Sequence, residues 1–88
     1  MSPEIKVAFS REVPRGSCII GIHNKEEDLK YMPIAITDCQ STDIFADGIV
    51  RKLLKEGENP VIVFGSEEEM EENINIIYKA FGDLIKDE

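Results

Sequence analysis

The residues best suited to chemistry in this 88-residue chain gather after two apolar runs. The first group, Asp38, Cys39, Gln40, Ser41, Thr42 and Asp43, follows Ile34-Ala35-Ile36-Thr37. The second, Gly65, Ser66, Glu67 and Glu68, follows Val61-Ile62-Val63-Phe64. Asp38, Asp43, Glu67 and Glu68 can supply hard oxygen ligands to calcium or magnesium, with backbone carbonyls or water completing the shell. Asp38, Cys39, Ser41, Thr42, Asp43, Gly65 and Ser66 together are the candidate set for a small ligand. The competing reading is structural: Ser41 or Thr42 and Ser66 cap helices, and acidic residues in a first turn suit the helix dipole. The carboxylate spacing matches no calcium loop, and no cofactor is expected beyond such a divalent cation.

Other chemistries fare worse at these positions. Asp43 and Glu67-Glu68-Glu69 already place negative charge at the helix starts, which disfavours a phosphate there. No Gly-rich loop with an adjacent Lys is present, so Walker-type and Rossmann-type nucleotide sites are excluded. An Asp at a strand end invites comparison with phosphatases and Toprim nucleases, but the second Asp of their D-x-D pattern is missing after Asp38. Cys39 is the one candidate nucleophile. A helix N-terminus would lower its pKa, the adjacent Asp38 would raise it, and the single histidine, His23, is distant in sequence. Cys18, inside an apolar run, reads as a small buried hydrophobe. No reaction-specific motif supports an enzyme.

The elements that must position these groups follow from periodicity. Ile5, Val7 and Phe9 alternate with Lys6, Ala8 and Ser10, the period of a half-buried strand. Pro14 and Gly16 mark a turn, and residues 17–22 form a second β-rich run, which predicts an N-terminal antiparallel hairpin. Residues 34–37 make a third strand, and a helix follows to about Glu56 with Ala46, Ile49, Val50, Leu53 and Leu54 on one stripe. Arg51, Lys52 and Lys55 suit its last turns, and Gly57 suits its end. Pro60 opens a fourth strand, apolar on both faces and therefore central. Ser66 with Glu69 forms an S-x-x-E capping box for a last helix, whose stripe is Met70, Ile74, Ile77, Tyr78, Phe81 and Ile85.

The resulting expectation is one domain over residues 1–88, of α+β or α/β class. It has two layers: a four-stranded mixed sheet, built as a β-hairpin followed by β-α-β-α, with both helices on one face. The other face should show small or polar residues such as Lys6, Ala8 and Ala35. Ile76, with Asn73 and Ala80, lies on a second helical row and is the candidate interface; Ile44 is a further off-stripe apolar residue.

Composition narrows the partners. The net charge of -8 repels nucleic-acid phosphates and anionic membranes, and attracts cations and basic proteins. No apolar run approaches membrane-spanning length, the N-terminus does not read as a signal peptide, and two cysteines are too few for a disulfide scaffold. A cytoplasmic location is the resulting expectation. A chain this short gains from assembly, because it buries a modest share of its surface alone. The functional expectation is an acidic binding or assembly domain, a homo-oligomer or an accessory subunit on a larger partner. The alternative is a cation- or small-ligand-binding protein working through Asp38–Asp43 and Gly65–Glu68.

Overall fold

The computed structural model describes residues 5–23, 31–38 and 48–82. In chain order the elements are β1 (Lys6–Phe9), β2 (Ser17–His23), β3 (Tyr31–Asp38), α1 (Ile49–Lys55), β4 (Pro60–Phe64) and α2 (Glu67–Phe81). The four strands form one mixed sheet in the order β1-β4-β2-β3. β4 pairs in parallel with β1 and antiparallel with β2, and β2 pairs antiparallel with β3. The sheet with two helices is the two-layer architecture that the periodicities predict.

The expected β1–β2 hairpin is corrected by this order. β1 takes the far side of β4, in the register Val7 to Ile62 and Phe9 to Phe64, while β2 lies on the near side. The reason lies in burial. β4 is buried at every position, so it needs a strand on each side and side chains over both faces. β1 fills one side and brings fully buried Ile5 into the main core. β3 and β4 both run antiparallel to β2, so they are parallel to one another with β2 between them. The β3–α1–β4 crossover therefore steps over one strand.

The main core lies between the sheet and both helices. Ile5, Cys18, Ile20, Ile62 and Phe64 from the sheet side meet Val50 and Leu53 of α1 and Ile77 and Phe81 of α2. Burial at the scale of these side chains stabilises by about 1.5–3 kcal/mol each. Cys18 is a fully buried member of this core. Met70, Ile77 and Phe81 of the expected stripe reach the core. The predicted Ala46 and Ile85 lie outside the described residues.

Both helix ends behave as their residues dictate. Gly57, at φ +79°, ends α1 in a left-handed conformation. Its N–H donates to the Leu54 carbonyl at 3.1 Å, and Glu58 N–H to that of Leu53 at 3.0 Å, the paired bonds of a Schellman motif. At α2, Ser66 Oγ accepts from Glu69 N–H at 3.2 Å. Arg51 of α1 stacks over the Phe81 ring of α2 at 5.2 Å, tying the two helices together. Among the described residues, no helix is long and apolar enough to cross a membrane.

Candidate functional site

Among the described residues, the second face of the sheet carries no helix, yet it is not bare. Residues 10–16 make two successive turns, with Val13 N–H donating to the Ser10 carbonyl at 3.2 Å and Ser17 N–H to the Pro14 carbonyl at 3.1 Å. Gly16, at φ +82°, supplies the left-handed residue of the second turn. The turns fold the chain back over the sheet, where buried Val13 packs on Val61 and Val63. The loop passes so close to Gly65 that a Cβ there would lie 2.7 Å from the Val13 carbonyl oxygen and 3.0 Å from that of Pro14.

Glu69 holds this loop down. Its carboxylate leaves the reciprocal half of the predicted capping box and reaches across to accept Gly16 N–H at 3.2 Å. The other carboxylate oxygen is buried without a hydrogen-bond partner among the described residues. One residue thus joins the α2 start to a loop 53 positions earlier.

At the opposite side of this face, β3 carries a bulge. Ile20 pairs with Ala35 but Gly21 pairs with Pro33, so Ile34 is the extra residue. Gly21 has no side chain to obstruct the Tyr31 ring, which comes within 2.8 Å of where a Cβ would stand. Between the Val13 loop and the Tyr31 ring lies a cleft of about 290 Å³. Its floor is Ala8, Val61 and Val63; Lys6, His23 and Tyr31 line it together with Ser10 and Glu12. Lys6 and Gly21 flank Val61 on either side, so Lys6 and the Tyr31 ring stand two strand spacings apart, about 10 Å.

The carboxyl ends of the parallel strands form a separate place. A broad depression of about 560 Å³ is lined there by Gly16, Ser17, Ile36, Thr37 and Asp38. It contains Asp38 from the sequence-derived set but not Gly65, Ser66, Glu67 or Glu68. The separation is topological. Asp38 pairs with Ser17, and Phe64 with Cys18, so β2 stands between the two loops expected to meet. Ser66 caps α2, and Glu67 and Glu68 are exposed in its first turn. Among the described residues, no cluster of His, Cys, Asp and Glu is arranged to hold a metal. Cys39, Ser41, Thr42, Asp43 and Ile44 lie outside the described residues.

The helix row is also differently placed. Ile76 is half-buried and packs against the main core, and Asn73 Nδ2 donates within the helix to the Glu69 carbonyl at 2.8 Å. Ala80 is exposed. Among the described residues, the large exposed apolar side chains are instead Phe9, Met32, Ile34 and Ile36, three of them on β3. Periodicity could not single these out, because alternating apolar residues carry the same signature whether a face is covered or open. Ala35, expected on the open face, pairs with Ile20 and shares the helix-covered face with it. Lys6, His23 and Tyr31 come together because β1 joins β4 and β3 bulges against β2, neither of which is encoded in local pattern.

No family model matches the chain, and neither does any curated protein or solved structure with which it was compared.

Proposed function

We propose that this chain is a binding and assembly domain rather than an enzyme, and that its partner at β3 is a second copy of itself. The observation behind this reading is the exposed apolar surface of that edge strand: Met32, Ile34 and Ile36 are 57%, 45% and 60% exposed. Edge strands of soluble proteins are usually blunted by Lys, inward-pointing charge, Pro or a bulge. Here Pro33 and the bulge at Ile34 guard the amino half. The carboxyl half, Ala35–Asp38, carries one charge, at its last residue.

The overall charge of -8 attracts basic partners at long range, but β3 itself offers apolar side chains, whose complement is also apolar. An identical strand related by a two-fold axis meets that need with the same patch on both sides.

Light scattering coupled to size-exclusion chromatography tests the reading. The wild-type chain should pass from monomer to dimer as concentration rises. Ile36→Lys should hold it monomeric with unchanged circular dichroism, while Ala80→Lys on the exposed side of α2 should leave the dimer intact. A wild-type monomer at every concentration, or a dimer indifferent to Ile36→Lys, overturns it.

A further inference from the structure

We infer that two copies of this chain join edge to edge, β3 antiparallel to β3, with Ile36 opposite Ile36 of the second copy. This pairing rests on the self-association proposed above and adds its geometry: a hydrogen-bonded continuation of the sheet rather than a packing of faces. Among the described residues, β3 ends the order β1-β4-β2-β3, so its outer side carries no strand. The depression of about 560 Å³ beside Ile36, Thr37 and Asp38 leaves that side open to an approaching strand.

The direction of the β3 backbone follows from one hydrogen bond. His23 N–H donates to the Asn59 carbonyl at 2.7 Å, so His23 points its backbone groups toward the β4 side. Successive residues of a strand point theirs to alternate edges. β2 keeps a regular register along β4, so Ile19 and Gly21 also point to β4, and Cys18 and Ile20 point to β3. Their partners there, Thr37 and Ala35, point back at them. Ile36, between the two, therefore directs its N–H and its carbonyl out from the sheet edge. The bond from Ser10 N–H to the Phe64 carbonyl at 2.8 Å agrees, since Phe64, opposite Cys18, must then point to β1.

Side chains choose the register. Ile36 lies opposite Ile19, which packs on the Val13, Val61 and Val63 cluster of the open face. Ala35 and Thr37 lie opposite Ile20 and Cys18 of the main core, on the helix-covered face. With a two-fold axis at Ile36, the two isoleucines stand side by side and exchange two backbone hydrogen bonds. Ala35 then meets Thr37 of the second copy, small against small. An axis at Thr37 would set Ile36 against the Asp38 carboxylate, and one at Asp38 would oppose like charges. An axis at Ala35 would set Ile36 against the bulge at Ile34, where the alternation is broken. The Ile36 register instead leaves each Asp38, the last residue of β3, at an end, the two about 13 Å apart along the strands. Because one edge serves both copies, the assembly closes at two.

Amide hydrogen exchange across a concentration series, read by nuclear magnetic resonance, tests the edge pairing. Where about nine-tenths of the chain is dimeric, exchange at Ile36 should be about tenfold slower than in the monomer, with little change at Ala35 and Thr37, which face β2 in both states. A dimer mixed from isotope-labelled and unlabelled chains should show an Hα–Hα contact between Ala35 and Thr37 of the second copy, the close pair of this register. Ile36→Pro removes the outward N–H and spares the β2 ladder, so it should abolish the dimer with Ala35 and Thr37 still protected. Ile36→Val keeps the N–H and a β-branched apolar side chain, and should still dimerise. A dimer whose Ile36 amide exchanges as fast as in the monomer overturns the edge pairing and leaves self-association standing. A contact joining Thr37 to Thr37 overturns the register in the same way. Growth past the dimer also overturns the pairing, since β3 would then be meeting a different edge. A monomer at every concentration removes this arrangement and self-association together.

Discussion

Two glycines separate the local from the long-range causes of stability at the residue scale. Gly57 has a positive φ and open space around it, so a Cβ there would be strained but would touch nothing. Gly57→Ala should therefore cost about 1–2 kcal/mol, the left-handed penalty for one residue. Gly65 presents the opposite case. The carbonyls of Val13 and Pro14 stand where its Cβ would be, and backbone cannot swing aside as a side-chain tip would. Gly65→Ala should cost about 1–3 kcal/mol and lift the loop. Urea unfolding measures both, and protease sensitivity separates them, since Gly65→Ala alone should expose the loop to cutting at Arg11 and Arg15. Glu69 acts on the same loop from the other side. Removing its bond to Gly16 in Glu69→Ala should cost about 1 kcal/mol and raise the rate of tryptic cleavage at those two arginines. Cleavage at the wild-type rate would mean that Val13 packing alone secures the loop.

The elements show how far local pattern carries the fold. The end of α1 and the start of α2 were legible, because Gly57 and Ser66 act within a few residues of themselves. The described α1 begins at Ile49 after Gly48, whereas the cap expected at Ser41 or Thr42 lies outside the described residues. Strand existence was legible for the same reason, since Ile5, Val7, Ile20, Ile62 and Phe64 announce one buried face each. Strand neighbours were not. A hairpin between β1 and β2 satisfies every local rule, and only the need to cover both sides of an entirely buried β4 moves β1 away. Between the helices, the Arg51–Phe81 stack is a small exposed contact, so Arg51→Ala should cost about 0.5–1 kcal/mol in thermal unfolding, with no change in fold. Arg51→Lys should recover part of that loss, as the cation returns without the planar stack.

The charge of the whole molecule and its exposed strand pull in opposite directions. A net charge of -8 on each copy opposes self-association across water, while Ile34 and Ile36 favour it on contact. Salt screens the first term and leaves the second in place, so dimerisation through β3 should strengthen between low and physiological ionic strength. Sedimentation at two salt concentrations measures this directly. Association that weakens with salt would instead point to a charge-paired interface away from β3.

The sequence by itself determined the class of this protein. Charge, apolar periods of two and of 3.6, and capping residues are properties of neighbouring positions, and they yield the four strands and two helices of the described residues, with both helices on one face. Tertiary structure decided where function is placed. Inserting β2 between β3 and β4 parted Asp38 from Ser66, and so dispersed the described part of the carboxyl-edge site that the strand–helix–strand reading assembles. Moving β1 to the far side of β4, and folding residues 10–16 back over Gly65, brought Lys6, Glu12, His23 and Tyr31 to one cleft. These are pairings between positions tens of residues apart. They are selected by the burial of β4 on both faces and by close backbone approach at Gly21 and Gly65, terms that come into being only when the chain is compact.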